Sequence, residues 1–198
     1  VSKSIKSMDV VLHLAALIGI PYSYESPLAY IRTNIEGTYN VLEACKTYEI
    51  NDLIVTSTSE TYGTGSYIPI DEGHPKLGQS PYSASKIAAD QLALSYFRSF
   101  NLPVKILRPF NTYGPRQSAR AIIPTIITQI LSGKRELALG NVNPTRDLTF
   151  VTDTCKSFTE ILSNPNFIGQ EINVGMNEEI SIKDLSALLA NLLNVEVK

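Results

Sequence analysis

The chain has 198 residues, a formal net charge of −2 and a pI near 5.7, and 43% of its residues are hydrophobic. The sequence contains no long basic run of the kind that would indicate a nucleic-acid or acidic partner. No apolar run approaches the ~20 residues that span a membrane. Its two cysteines, Cys45 and Cys155, have neither metal-ligand spacing nor a disulfide framework, so we expect a metal-free globular protein in a reducing, cytoplasmic setting.

The first half of the chain alternates apolar runs with helical patterns. Three continuous apolar runs are predicted to be strands buried on both faces of a parallel sheet, namely residues 9–14, 52–56 and 104–107. Helices are predicted over about 27–49 and from Pro81 to about 100. Residues 62–79 are rich in Gly, Pro and polar side chains, which predicts a loop running over a site. The alternation predicts an α/β fold with a doubly wound, Rossmann-like parallel sheet.

The pattern changes after Pro115. Further helices are predicted at 121–131, about 153–162 and 183–193, and further strands at 137–139, 147–151 and 171–174. We therefore predict two parts, residues 1–116 and a smaller lobe of residues 117–198, with elements interleaved between them.

Tyr82-Ser-Ala-Ser-Lys86 places a phenol and an ammonium group four residues apart. Ser80-Pro81 predicts a helix start immediately before them, so both side chains lie on one helical face. A phenol titrates near pKa ~10 in water and is a poor base at neutral pH unless a nearby cation favours the phenolate. The sequence predicts that Lys86 is this cation. The alternative is a pair on a solvated helix face, because the spacing also arises by chance.

The setting of this pair favours chemistry. Thr56-Ser-Thr-Ser-Glu60 precedes it directly after an apolar run, and Arg108-Pro-Phe-Asn-Thr-Tyr-Gly-Pro-Arg116 follows it. In this order and spacing, the three stretches resemble extended short-chain dehydrogenases/reductases of the NAD-dependent epimerase/dehydratase family, with nucleotide-sugar 4,6-dehydratases as the nearest likeness. Ile18 to Tyr24, Ser80 to Asp90 and Asn111 to Leu131 resemble the N-acetylglucosamine-nucleotide 4,6-dehydratases of nonulosonic (legionaminic) acid pathways.

The resemblance implies roles for five catalytic residues. Tyr82, assisted by Lys86, would take the proton of the sugar O4, and Thr58 would hydrogen-bond that oxygen. Glu60 would remove the C5 proton, after which water leaves from C6. Family dehydratases typically carry Asp-Glu where this chain carries Ser59-Glu60, a pair that resembles the branch acting on GDP-mannose. Either Glu60 handles both proton transfers, or a water or hydroxyl group relays one of them.

The resemblance also implies NAD as cofactor, in contact with Ala15, Ala16, Tyr82 and Lys86. Small side chains after the first strand would let a flat ligand approach the backbone, whereas His13 is expected to be structural. The family's glycine-rich turn and its ribose-reading acid do not occur in this sequence, so we expect the N-terminal part of the fold to be missing from the chain. The choice between NAD and NADP stays open, as do the nucleotide and the hexose.

Five further positions are expected to bind the nucleotide-sugar substrate. Arg146 resembles a family arginine that binds the diphosphate, for which a planar forked donor is suited. Asn111 and Arg116 resemble phosphate or sugar contacts, and Tyr22 and Ser23 are expected to face the hexose. A solvated surface charge or a turn residue is the alternative at these positions.

On this resemblance, residues 1–116 are a partial dinucleotide-binding domain and 117–198 the substrate-binding lobe. The predicted helices at 36–49 and 81–100 are expected to pair with a second copy, giving a homodimer through a helix bundle. A nucleotide-sugar 4-epimerase is the nearest alternative function. A non-catalytic module that serves dimerisation is a second alternative.

Overall fold

The computed structural model of the protein describes residues 1–197, which divide into two compact units. Unit 1 comprises Val1–Pro109 and Cys155–Val174, and unit 2 comprises Phe110–Thr154 together with the chain from Gly175 onward. The sequence-based division into residues 1–116 and 117–198 stays a prediction.

The helices and strands are these. The helices are α1 (Ser2–Ile5), α2 (Ile20–Glu25), α3 (Pro27–Tyr30), α4 (Gly37–Thr47), α5 (Pro81–Phe100), α6 (Ile122–Leu131), α7 (Val151–Leu162) and α8 (Ile182–Leu192), with a π-helical segment, Ile31–Glu36, between α3 and α4. The strands are β1 (Val10–His13), β2 (Asp52–Thr56), β3 (Val104–Pro109), β4 (Asn111–Tyr113), β5 (Thr145–Arg146), β6 (Leu148–Phe150), β7 (Glu171–Val174) and β8 (Ile180–Ser181).

Unit 1 is built on a four-stranded parallel sheet in the order β1-β2-β3-β7. Its register pairs Val10 with Asp52, Leu53 with Val104 and Ile106 with Glu171, so the carboxyl ends of neighbouring strands meet at one edge. Three of the four strands were predicted from apolar runs and the fourth as a strand at 171–174, and the predicted Rossmann-like α/β class is confirmed.

Alternate residues of the central strands face opposite layers of helices. On one face, Leu53, Val55, Val104 and Ile106 belong to the same apolar cluster as residues of α4 and α5. On the other face, Ile54 and Leu107 pack with Ile161 and its neighbours at the end of α7. Helices on both faces explain why apolar residues on the central strands face both ways instead of alternating regularly with polar residues.

Helix α5 begins as the sequence predicts. The Ser80 hydroxyl accepts a hydrogen bond from the Ser83 backbone N–H at 3.1 Å, and the Ser83 hydroxyl accepts from the Ser80 N–H at 2.9 Å. This reciprocal capping box, with Pro81 in the first turn, fixes the helix start one residue before Tyr82. Asn101 ends the helix in the left-handed conformation at φ 55°.

Unit 2 contains two two-stranded sheets, β4-β6 and β5-β8, and a core formed largely by α6 and α8. The predicted strand at 137–139 is wrong, since these residues form no strand and Leu137 and Leu139 pack against that core. The predicted strand at 147–151 is shorter in the structure, because Val151 already begins α7. The two- and three-residue strands of this unit were not predicted.

Lys105 is a fully buried cation in the middle of β3. Its ammonium group donates to Asp52 Oδ2 at 2.6 Å and to the backbone carbonyls of Ile161 and Leu162 at 2.9 and 3.0 Å. The two carbonyls lie in the last turn of α7, where they have no partner within the helix. Lys105 therefore fastens the C-terminal end of α7 to the sheet.

We expect Lys105→Met to lower the free energy of unfolding by about 3–5 kcal/mol, because it leaves the Asp52 carboxylate and the Leu162 carbonyl without a donor, while the Ile161 carbonyl keeps the Asn164 N–H. The matched control is Lys156→Met. Lys156 meets Glu160 at 4.0 Å with both side chains about 70% exposed, so its loss should cost less than about 1 kcal/mol. Urea denaturation of both variants measures the difference, and equal effects would contradict the fastening role.

Candidate active site

Tyr82 and Lys86 lie in the first two turns of α5, with relative exposures of 6% and 4%. Burial raises the pKa of the Tyr82 phenol to about 12, and the charge of Glu60 adds to this effect. A hydrogen bond with the Thr58 side chain opposes it. The balance keeps Tyr82 protonated at neutral pH in the protein alone.

The Lys86 ammonium group donates to the backbone carbonyl of Thr56 at 2.5 Å, at the end of β2. Burial lowers the pKa of Lys86, and the charge of Asp90 opposes this shift. The sequence predicted that Lys86 lowers the pKa of Tyr82. This effect of Lys86 stays a prediction: in the protein alone, desolvation dominates at the phenol, and the Lys86 ammonium group donates to the carbonyl at the end of β2.

The turn after β2 brings a hydroxyl and a carboxylate to the phenol. Thr58 caps the short turn Ser59–Thr61, with its hydroxyl accepting from the Glu60 N–H at 3.3 Å. Thr58 also hydrogen-bonds the Tyr82 side chain, and the charge of Glu60 acts on the phenol. Thr58, Ser59 and Glu60 are each half-buried. Thr58, Glu60 and Tyr82 thus form one cluster, with Lys86 one turn further along α5.

Asn34 ties this cluster to the loop that follows β1, a role that the sequence analysis missed. Its carboxamide accepts from the Leu17 N–H at 2.9 Å, donates to the Leu17 carbonyl at 3.0 Å and donates to the Ser85 hydroxyl at 2.9 Å. Asn34 is 1% exposed and lies in the π-helical segment, a distortion that is frequent at functional sites. An asparagine inside a predicted helix, just before Gly37, was the available signal.

His13, the last residue of β1, is buried beside the same cluster. Its Nε2 lies 3.0 Å from the Thr38 hydroxyl, which donates to the Asn34 carbonyl at 2.6 Å. Burial lowers the pKa of His13 to about 4, and the charge of Lys86 contributes to this shift. His13 is therefore neutral at neutral pH, in keeping with the structural role expected of it.

The loop after β1 carries Ala15 and Ala16, predicted to touch the cofactor, and the following helix α2 carries Tyr22 and Ser23, predicted to face the hexose. Ala15 is exposed and Ala16 half-buried. Tyr22 is 48% exposed, whereas Ser23 is fully buried and donates to the Ile20 carbonyl at 2.6 Å, which leaves Tyr22 as the exposed member of that pair. These four assignments stay predictions.

The side chain of Tyr30 connects this loop to the phenol. Its hydroxyl donates to the Gly19 carbonyl at 2.5 Å, and its ring stands edge-on to that of Tyr82 with centroids 6.1 Å apart. Tyr30 is 1% exposed, so it forms a fixed apolar wall beside the reactive group.

Unit 2 carries the three predicted phosphate or sugar contacts. Arg146, in β5, is half-buried and donates to the Thr145 carbonyl at 2.8 Å. The next residue, Asp147, accepts from the backbone N–H groups of Met176 and Asn177 at 2.9 and 2.8 Å. This double acceptor holds the chain after Gly175 beside the strand that presents Arg146.

The other two predicted contacts of unit 2 lie in and after β4. The Asn111 backbone N–H donates to the Asp147 carbonyl at 3.1 Å, and the Asn111 side chain is half-buried. Arg116 is exposed, with a left-handed backbone at φ 68°. Their roles toward a ligand stay predictions.

Residues 1–197 contain neither a metal-ligand cluster nor a membrane-spanning helix. Nowhere in that range do three or more His, Cys, Asp or Glu side chains form a group able to hold a metal ion. Over the same residues, no helix has the length and apolar character needed to cross a membrane.

Residues 2–197 match the family described as GDP-mannose 4,6 dehydratase. The chain is 35% identical to a dTDP-D-glucose 4,6-dehydratase of Dictyostelium discoideum over 94% of this chain and 45% of the relative. It is 34% identical to a solved UDP-glucuronic acid 4-epimerase of Bacillus cereus, in complex with UDP-glucuronic acid and NAD, with a TM-score of 0.93 over 100% of this chain and 63% of that one.

A dTDP-glucose 4,6-dehydratase of Streptomyces venezuelae with NAD bound is 26% identical, with a TM-score of 0.91 over 98% of this chain and 60% of that one. The chain thus spans about half the length of the curated relatives it matches. Dehydratases and epimerases are similar to it at comparable identity.

The neutral state of His13 predicts a pH-dependent stability. Unfolding returns its pKa from about 4 to its ordinary value of 6.5, so the unfolded state binds the extra proton between these values. Stability should therefore fall as the pH drops through this window, by up to about 3 kcal/mol from this group. We expect His13→Gln to remove most of this dependence.

Denaturation at pH 7.5 and 4.5 measures the effect. Thr38→Val is the matched control: it removes the hydroxyl beside His13 but keeps the imidazole, so it should lower stability at both pH values and retain the slope. An unchanged slope in His13→Gln would show that the imidazole is not neutral in the folded protein.

Proposed function

Because the chain belongs to the GDP-mannose 4,6-dehydratase family, we propose that the protein is a nucleotide-sugar 4,6-dehydratase. It would oxidise C4 of the hexose, eliminate water across C5 and C6 and reduce C6, giving a 4-keto-6-deoxy sugar nucleotide. The observation that carries this proposal is the cluster of Thr58, Glu60 and Tyr82, in which the charge of a carboxylate acts on the phenol that would take the O4 proton.

We propose NAD as the cofactor, and the residues present fit it. The Lys86 ammonium group has N–H groups that donate to no residue among 1–197, and these are suited to hydroxyls of a sugar ring in the cofactor. The buried Thr56 hydroxyl also has no hydrogen-bond partner in that range. The small Ala15 and Ala16 leave room for a flat ring against the loop after β1. When bound, NAD+ supplies the acceptor that takes hydride from C4 and returns it at C6.

Tyr82 would receive the O4 proton as C4 is oxidised. Thr58, which already hydrogen-bonds the phenol, would hold O4 in line with it. The cation of Lys86, one turn along α5, favours the negative charge that forms on the phenolate oxygen. Since burial raises the pKa of Tyr82 to about 12 in the protein alone, the phenol must first lose its own proton to solvent, a loss that the positive charges of Lys86 and of the bound cofactor would favour.

Glu60 is the carboxylate assigned to C5. Two carboxylates act on Tyr82, Glu60 and Asp90. Asp90 is fully buried and hydrogen-bonded to Arg108, whereas Glu60 is half-buried on the turn after β2. A 4-ketone acidifies the C5 hydrogen, so Glu60 would take this proton, and the C6 hydroxyl leaves as water after gaining one. Ser59, beside Glu60, carries the hydroxyl that would relay that second proton.

We assign binding of the nucleotide diphosphate part of the substrate to unit 2. Arg146 would bind the diphosphate, for which a guanidinium offers paired donors, and Asp147 supports its strand by holding the chain after Gly175. Asn111 and Arg116 would add polar contacts to phosphate or sugar. Tyr22, exposed after β1, would face the hexose.

A nucleotide-sugar 4-epimerase is the second candidate. The solved Bacillus cereus epimerase, at 34% identity, favours it. Both reactions begin with the same oxidation at C4, which Tyr82, Lys86 and Thr58 would serve alike. They diverge at Glu60, because epimerisation at C4 requires no base for the C5 proton.

We expect the intact protein to release water from one member of a panel of UDP-, GDP- and dTDP-hexoses, giving a product lighter by one water by mass spectrometry. Tyr82→Phe should lower turnover about 10²- to 10⁴-fold, the range for a lost acid–base group. Glu60→Gln should retain C4 oxidation, seen as NADH absorbance, but lose the dehydrated product.

Glu160→Gln is the control for Glu60→Gln, since it changes an exposed carboxylate of α7 and should leave turnover unchanged. A C4 epimer in place of the dehydrated product would establish the epimerase. No NAD+ binding by the intact protein would favour the non-catalytic module.

We also propose a homodimer through α4 and α5. Tyr39 and Phe100, on these helices, are 46% and 53% exposed, and the Lys46 ammonium group lies 4.5 Å from the centre of the Phe100 ring. An apolar helix face of this kind is suited to pairing with a second copy.

Sedimentation velocity at micromolar concentration should give the mass of a dimer, and Tyr39→Glu/Phe100→Glu should give a monomer, because two carboxylates would be buried at the interface. Glu160→Gln serves here as a dimeric control. A wild-type monomer under these conditions would contradict the assignment.

A further inference from the structure

Asp90 is a buried carboxylate one helical turn beyond Lys86 on α5, and its exposure is 0%. One of its oxygens, Oδ2, accepts from the Ser57 hydroxyl at 2.6 Å and from Arg108 Nη2 and Nε at 2.9 and 3.3 Å. The other oxygen, Oδ1, is also buried and has no hydrogen-bond partner among residues 1–197. Among the described residues, only one of the two Asp90 carboxylate oxygens thus has hydrogen-bond donors.

Arg108 does not depend on Asp90 alone. Its Nη2 also donates to Glu171 at 2.5 Å, and its Nη1 donates to the Tyr62 hydroxyl at 2.9 Å. Glu171 in turn pairs with Lys76 at 2.5 Å. The guanidinium therefore keeps a second carboxylate if Asp90 is neutralised.

Lys86 has a different dependence on Asp90. The ammonium group is 4% exposed and hydrogen-bonds only to the Thr56 carbonyl among residues 1–197. A buried ammonium ion without a nearby negative charge tends to lose its proton. The charge that opposes this loss at Lys86 is that of Asp90, four residues along the same helix face.

Burial raises the pKa of Asp90, and Arg108 and Ser57 lower it. Because three donors converge on one Asp90 oxygen and Arg108 is permanently charged, this geometry favours the ionised form of Asp90. The other titratable or charged groups around the Lys86–Asp90 pair are His13 at the end of β1, Tyr30 on α3, Glu60 and Tyr62 after β2, Tyr82 on α5, Arg108 on β3 and Glu171 on β7.

We propose that Asp90 is a positioning residue that keeps Lys86 in its ammonium form beside Tyr82, while Glu171 balances the charge of Arg108. The proposal rests on the proposed function for its kinetic consequence, but not for its effect on Lys86 itself. The competing role is purely structural: Asp90 would only fasten α5 to β3 through Arg108.

Asp90→Asn separates these two roles. If Asp90 sustains the charge of Lys86, the variant should shift the pH–rate profile for C4 oxidation to lower pH by about one unit, since an opposite charge at this range moves a titration by 1–3 units. Turnover should fall along the alkaline limb of the profile, which the loss of the Lys86 proton sets, and recover as the pH is lowered. A fastening role alone would leave this alkaline limb in place, because the direct charge effect of Asp90 on Tyr82 moves only the limb set by the phenol.

The second readout needs no turnover. Lysine labelled with ¹³C at Cε reports the titration of Lys86 by NMR in the intact protein, and the spectrum of Lys86→Met assigns its resonance. We expect the Lys86 titration to move to lower pH in Asp90→Asn. If the wild type turns over no nucleotide sugar but the resonance still moves, the proposed function fails while the role of Asp90 stands.

Glu171→Gln is the matched control, because it neutralises the other carboxylate on Arg108. It should lower stability but leave both the pH–rate profile and the Lys86 titration in place. Asp90→Ser, which removes the charge without adding an amide beside Lys86, has the same expected result as Asp90→Asn and is used where that variant does not fold. The proposal is overturned if the Lys86 titration is unmoved in a folded Asp90 variant, or if both Asp90 variants fail to fold while Glu171→Gln folds.

Discussion

Two buried cations on one central strand of the sheet, Lys105 and Arg108, constrain how unit 1 assembles. Arg108 and Lys105 are both fully buried on β3, and each reaches a carboxylate and a neighbouring element. An unpaired charge at either position would cost several kcal/mol, so the strands and helices that supply their partners must assemble together. The constraint couples β2, β3, β7, α5 and α7 more specifically than apolar packing does, since hydrophobic contacts tolerate sliding and forked hydrogen bonds do not.

Local patterns in the sequence predict some elements of this fold and leave others unpredicted. Three of the four strands of the large sheet follow from apolar runs and the start of α5 follows from a capping signal, both of which are local. The wrong strand at 137–139 shows the limit of that method, because an apolar triplet such as Leu137-Ala-Leu139 packs equally well without a ladder. The strands of two or three residues are too short for any pattern to emerge.

The candidate site divides in the same way. Tyr82, Lys86, Thr58 and Glu60 were identified from short motifs and a family resemblance, and the structure brings the phenol, the hydroxyl and the carboxylate together. The pKa of Tyr82 could not be predicted from the sequence, because it depends on how deeply the phenol is buried. Asn34 and Asp90 were missed as supporting groups for a related reason. Their partners Leu17, Ser57 and Arg108 are distant along the chain, and only the folded structure shows them.

The π-helical segment Ile31–Glu36 has a consequence for how this protein can vary. A π-turn holds one residue more than the α-helical turn it replaces, and here the extra residue aims Asn34 at both the loop after β1 and α5. Deleting one residue would restore a regular helix but rotate everything on one side by about 100°, turning the carboxamide away from both. Substitutions on the exposed side of this segment are tolerable, but its length is not. Natural variants should therefore differ here in composition and agree in residue number.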